Sequence, residues 1–134
     1  MRNIVIASHH RMASGMADTL AFVAGVPNVS VLDAYVGDED ADEQIIELMD
    51  ALDPADETFV FTDMLGGSVT QRFAPYAGDN VHIICGMNLP LVLEIALTHP
   101  EPLTAEEIRT AVEGARQGLL YVNEYQAADM DEDE

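Results

Sequence analysis

The chain has 134 residues, 49% hydrophobic and 22% charged, with a net charge of −20 from 25 acidic residues against five arginines and no lysine. That size suits one compact core. The negative field repels nucleic acid and anionic lipid and steers basic partners inward, so a bound phosphate has to be held locally, by backbone amides or an arginine.

Residues 3–7 form an apolar run of the kind found in strands buried on both faces. Ser8-His9-His10-Arg11 follows and leads into a helix whose apolar face is Met12, Met16, Leu20 and Val23. Residues 29–35 read as a second strand, and residues 37–42 as an acidic, glycine-containing turn. A helix carries Ile45, Met49 and Leu52 on one face; residues 58–62 form a third buried strand, ending at Asp63-Met64-Leu65-Gly66-Gly67-Ser68. Residues 81–85 are a fourth strand, followed by Gly86-Met87-Asn88-Leu89-Pro90 and a short apolar helix. Thr104 and Glu107 have capping-box spacing and open a last helix through Ile108, Val112, Ala115 and Leu119. Residues 119–123 read as a short fifth strand.

Strands alternating with helices imply an α/β fold, a mostly parallel open sheet with helices on both faces. The expected organisation is one domain over residues 1–124 and an acidic, disordered tail over residues 125–134. No apolar run approaches the roughly 18 residues that cross a bilayer. Only the short run Ile4-Val5-Ile6-Ala7 follows Met1-Arg2-Asn3, too few apolar residues for a signal-peptide core. The expected location is the cytoplasm, with which the single cysteine, Cys85, agrees.

Ligands of such sheets bind beyond the carboxyl ends of the strands, where strand order reverses. Imidazole is a competent nucleophile toward phosphorus near neutral pH, with an ordinary pKa of about 6.5. His9 and His10 are therefore candidates, as carriers or as mere helix caps. Asp63, closing a buried strand, can accept a hydrogen bond from one imidazole nitrogen and leave the other free to attack. Gly66 and Gly67 allow backbone amides close to an oxyanion, and Ser68 adds a hydroxyl; an ordinary strand-to-helix turn uses the same residue types. Met87, Asn88 and Pro90 could line the site or simply start a helix. His82, His99 and the adjacent His9–His10 pair lack metal-ligand spacing, so no metal and no bound cofactor is expected. Cys85 reads as core.

These segments resemble the IIA domain of the mannose-family sugar phosphotransferase system. Ile4-Val5-Ile6-Ala7-Ser8-His9 with Met12-Ala13-Ser14-Gly15 is similar to that family's phosphorylation segment. Phe61 to Ser68 resembles its aspartate and Gly-Gly-Ser segment, and Gly86 to Pro90 its Gly-x-Asn-x-Pro segment. The resemblance implies a flavodoxin-like strand order and a phosphohistidine carrier. His9 would accept phosphate from phospho-HPr and pass it to a separate IIB subunit, serving membrane IIC and IID subunits indirectly. Asp63 would orient His9; Ser68 and the amides of Gly66 and Gly67 would hold the phosphoryl oxygens. The resemblance also implies a homodimer that exchanges a C-terminal strand, here residues 119–123. The position after the active histidine, usually glycine in the family, is His10, and Arg11 beside it could offset charge.

Two other uses are weighed against transport. One is a regulatory phosphocarrier, as in the dihydroxyacetone kinase phosphotransferase subunit, whose Asp-x-Gly-Ser segment differs from the one here. The other is a receiver-like or flavin-binding module, opposed by the absence of lysine and the 6% aromatic content.

Overall fold

A computed structural model describes residues 1–125, so all but the first residue of the expected tail lie outside the described residues. The elements are β1 (Arg2–His9), α1 (Met12–Ala24), β2 (Val29–Ala34), α2 (Ala41–Asp50), β3 (Glu57–Thr62), α3 (Ser68–Phe73), β4 (Val81–Cys85), α4 (Leu89–Leu97) and α5 (Ala105–Gln117). They fall into two compact units, residues 1–102 and the residues from Leu103 onward.

In the first unit, four parallel strands lie in the order β2-β1-β3-β4. This is the doubly wound arrangement, whose order reverses between β1 and β3. Side chains alternate across a strand. Ile4 and Ile6 of β1 therefore share one face of the sheet with Phe59 and Phe61 of β3. Val5, Ala7 and Val60 share the other with Leu32 and Ala34, packed against Ala41, Ile45, Val69 and Phe73 from α2 and α3. α1 packs on β1 and β2 and touches α4. Right-handed crossovers in opposite directions from β1 produce this division of helices between the faces.

Local signals fix the helix ends. Asp40 caps α2 by accepting from the amides of Asp42 and Glu43, and Asn88 caps α4 by accepting from the Leu91 amide at 2.9 Å. Gly25 ends α1 in the left-handed conformation (φ 59°). At the amino-terminal edge of the sheet, Arg2 pairs with Glu57 at 2.7 Å and donates to the carbonyls of Ile95 and Glu101.

The inward face of α1 differs from the one its hydropathy suggests. Ala13 and Leu20 are buried, with Met16, Ala17 and Ala24 partly so, whereas Met12, Val23 and Phe22 are exposed. Leu20 keeps its place in the contact, while Ala13, Ala17 and Ala24 let the helix approach the sheet closely, so the apolar stripe is rotated by about one residue.

In the second unit, α5 opens with a reciprocal capping box. The Thr104 amide donates to Glu107 Oε1 at 3.0 Å and the Glu107 amide to Thr104 Oγ1 at 3.1 Å. Ile108, Val112 and Ala115 lie partly buried along it. The expected strand at 119–123 is not formed. The amides of Gly118 and Leu119 bond back to Ala115 and Arg116, and Val122–Glu124 is a 3-10 turn. A lone strand has no ladder to complete, so its backbone takes local bonds instead.

The buried Phe61 and the exposed Phe22 give a test of this core. Phe61→Ala should cost about 3–5 kcal/mol in urea unfolding, whereas Phe22→Ala should stay within about 0.5 kcal/mol of the parent.

Candidate functional site

Because the sheet is all parallel, the carboxyl ends of its strands share one edge. β1 and β3 pair in register, with Ala7 opposite Thr62. His9 is the last residue of β1 and Asp63 the first beyond β3. This register brings one carboxylate oxygen to two donors of a single residue: Asp63 Oδ2 accepts from the His9 amide at 2.8 Å and lies 2.7 Å from His9 Nδ1. Asp63 Oδ1 accepts from the Met64 amide at 3.0 Å.

Burial pushes the Asp63 carboxyl up, but the hydrogen bonds from the His9 amide and imidazole, the charge of that ring and the Met64 amide together hold it below the ordinary carboxylate value. An ionised Asp63 accepts only, so Nδ1 carries the imidazole proton. Nε2 then presents its lone pair to Ser68 Oγ, 3.2 Å away.

The rest of the turn holds this ring in place. Ser8, fully buried, accepts from the Ala13 amide at 2.7 Å and donates to the His10 carbonyl at 3.1 Å. His10 has φ 57° and its amide donates to the Ala34 carbonyl. Glycine takes that conformation without strain, whereas a side chain there costs energy. The His10 side chain is exposed, and no hydrogen bond or ion pair among the described residues joins the His10 ring or the Arg11 guanidinium to the site.

Gly67 matters by its missing side chain. A Cβ there would sit 3.0 Å from His9 Cε1 and 3.2 Å from Met64 Cγ. Its amide donates to the Met64 carbonyl at 3.3 Å. Gly66 holds the left-handed turn before it, at φ 82°.

Met87, Asn88 and Pro90 form no hydrogen bond with His9. Met87 is buried, its amide bonded to Thr62 O, while Asn88 caps α4 and Pro90 is exposed in that helix's first turn. Cys85 is partly buried. His82 stacks at a tilt on Phe59 and His99 pairs with Glu101.

Two residues at the site went unread in the sequence. Tyr35, at φ 67°, lies 2.7 Å from Ser68 Oγ through its hydroxyl, and its ring centroid is 5.5 Å from that of His9. Arg72 donates from Nη1 to the Tyr35 hydroxyl and pairs through Nε with Asp42 at 2.8 Å. Arg72 stands four residues after Ser68, one helical turn along the same face, and that spacing is the signal that could have exposed it.

A family model described as the fructose IIA component of the phosphotransferase system, EIIA-man, matches residues 3–113. Among solved structures, a Klebsiella pneumoniae protein described as a candidate phosphoenolpyruvate-dependent sugar phosphotransferase system permease is 29% identical, with a TM-score of 0.85 and 92% of each chain covered. A Streptococcus pneumoniae IIA protein associated with a fucose utilization operon is 30% identical, with a TM-score of 0.70 over 91% of this chain and 93% of the other. A mannose/sorbose-specific IIA subunit from Enterococcus faecalis shares the fold at 19% identity, with a TM-score of 0.70 over 89% of this chain and 92% of its own. No curated protein matches the chain. No helix among the described residues is long and apolar enough to cross a membrane.

Two measurements test the geometry. The stability contributed by ionised Asp63 is present in full above its unfolded pKa of about 3.9 and is lost as pH falls through the lower folded value. The stability gap between the parent and Asp63→Asn should therefore narrow in urea titrations as pH falls below about 5 and through the lower folded value. Gly67 has φ −73° and ψ 154°, which alanine accepts; Gly67→Ala should therefore fold but shift the His9 imidazole nitrogen resonances, which an NMR spectrum of the ring would show.

Proposed function

The chain belongs to the mannose-type IIA family of the sugar phosphotransferase system, and from that premise we propose that His9 accepts a phosphoryl group from phospho-HPr and hands it to a separate IIB subunit. The observation that carries this reading is the polarity of the imidazole: Nδ1 held 2.7 Å from Asp63, Nε2 left as the nucleophile.

In the first transfer, the Nε2 lone pair attacks phosphorus in line. The P–N bond of the donor breaks, and its electron pair leaves with the donor imidazole. Nδ1 keeps its proton throughout, so the phosphorylated His9 ring is cationic and Asp63 faces its charge. In the second transfer a nucleophile on IIB takes the phosphoryl group, and His9 departs as a neutral imidazole, a good leaving group. Positioning and charge stabilisation supply the catalysis. The Ser68 hydroxyl, with the Gly66–Gly67 turn, is suited to the phosphoryl oxygens.

The surroundings support a docking carrier. Met64 and Leu65, directly after Asp63, are 52% and 83% exposed, an apolar rim beside the reactive nitrogen. In the second unit Leu119, Leu120, Tyr121 and Val122 are all exposed. Such a run favours coverage by a second copy of the chain, which fits a homodimer. The acidic field suits a basic HPr surface, and the membrane IIC and IID subunits would be reached through IIB, from the cytoplasm.

Phosphoenolpyruvate, enzyme I and HPr should label the parent and His10→Ala but leave His9→Ala unlabelled, as read by mass spectrometry of the mapped phosphohistidine. Asp63→Ala should stay folded and transfer about 100-fold more slowly. Normal labelling of His9→Ala together with loss in His10→Ala would reverse the assignment.

A further inference from the structure

We propose that the Tyr35 hydroxyl is a phosphoryl-binding group of this site and that Arg72 positions it, fixing the direction of the hydroxyl chain that ends at His9 Nε2. The proposal rests on the phosphocarrier reading of His9.

The direction follows from the donors available. A guanidinium donates and never accepts, so the phenol oxygen of Tyr35 accepts from Arg72 Nη1. The phenol proton is thereby free for Ser68 Oγ, 2.7 Å away. Ser68, accepting from Tyr35, turns its own proton toward Nε2 at 3.2 Å. Arg72, Tyr35 and Ser68 thus form one row in which each group donates to the next, and Ser68 to the reactive nitrogen. A phosphoryl group bonded to Nε2 takes up the lone pair that Ser68 donates to, which frees the Ser68 proton, and behind it the Tyr35 proton, to turn a short way onto the phosphoryl oxygens.

Charge points the same way. A phosphoryl group is close to dianionic at neutral pH, and here it arrives next to Asp63 in a chain of net charge −20. Some local cation must oppose that field. In the first unit, Arg2 is committed at the other edge of the sheet, to Glu57 and two carbonyls. Arg11 makes no hydrogen bond to the site, whereas Arg72 is hydrogen-bonded into it. Asp42 holds Arg72 by Nε, which leaves Nη1 for the phenol, and the guanidinium carbon lies 5.9 Å from the centre of the Tyr35 ring.

The backbone gives a third, independent observation. Tyr35 occupies the left-handed region at φ 67°, which costs an aromatic residue energy and persists where the surroundings enforce it. The strained turn leaves the ring tilted 34° against the His9 imidazole, and the residue is 44% exposed at the mouth of the site.

Single-turnover transfer from phospho-HPr to the full chain tests this, with phospho-HPr concentration varied and thermal unfolding of each variant recorded. Tyr35→Phe keeps the ring and removes only the hydroxyl; Arg72→Met keeps the length and removes the charge. Both should lower the maximal transfer rate roughly tenfold, leaving the half-saturating phospho-HPr concentration and the melting temperature as in the parent. Arg72→Lys, which keeps charge and a donor, should recover most of the rate. Parental maximal rates in Tyr35→Phe overturn the proposal, as does a loss confined to half-saturation or to melting temperature. Labelling of His9→Ala in the same assay would instead overturn the carrier reading itself; His9-specific labelling with parental rates in both variants would overturn the Tyr35–Arg72 assignment alone.

Discussion

One carboxylate oxygen organises the site. Asp63 Oδ2 binds the amide and the imidazole of the same residue, His9, at 2.8 and 2.7 Å. The amide bond fixes where β1 ends, and the imidazole bond fixes which nitrogen faces outward. Neither would exist without the parallel register that sets Ala7 against Thr62. The neighbouring features follow from keeping that ring in place: the Ser8 hydroxyl bridging the turn, the left-handed His10 behind it, and the missing Cβ at Gly67 beside Cε1.

Much of this was legible in the sequence. Strands buried on both faces are nearly unbroken in apolar residues, which makes β1 and β3 legible; β4 has the same pattern, yet it is an edge strand in which only Ile84 is buried. Asp63 and Ser68 were readable because each stands at a strand end or a helix start. The misreadings have a common physical origin, which is that hydropathy reports the side chain and not its distance of approach. In α1 the contact runs through Ala13 as well as Leu20 and leaves Val23 outside. At 119–123 the single chain forms no strand ladder, and Val122–Glu124 is a 3-10 turn. Tyr35 looked like the last residue of a strand. Only its φ of 67° turns the ring toward His9, and a backbone angle of that sign in a tyrosine leaves no mark in the sequence.

The charge of the chain gains meaning beside this geometry. An acidic surface attracts a basic partner over a distance but opposes the anion that partner brings. In the proposed transfer the two demands fall on different length scales. Long-range attraction would come from the whole chain, while the short-range environment of Nε2 is the Ser68 hydroxyl, with the Tyr35 hydroxyl behind it and one arginine that Asp42 holds in place.

β3 carries a further consequence. Its six residues are all buried and it stops at Thr62, one position before Asp63. The groups that hold the domain together, such as Phe59, Val60 and Phe61, and the groups that face the ligand edge, such as His9, Asp63, Ser68, Tyr35 and Arg72, are therefore separate sets of residues. Substitutions at rim residues such as the exposed Tyr35 and the partly exposed Arg72 can alter what binds at this edge with little change in folding free energy. Rim positions can thus change one at a time, and a residue as large as histidine can stand in the left-handed turn at His10, while the sheet beneath stays as it is.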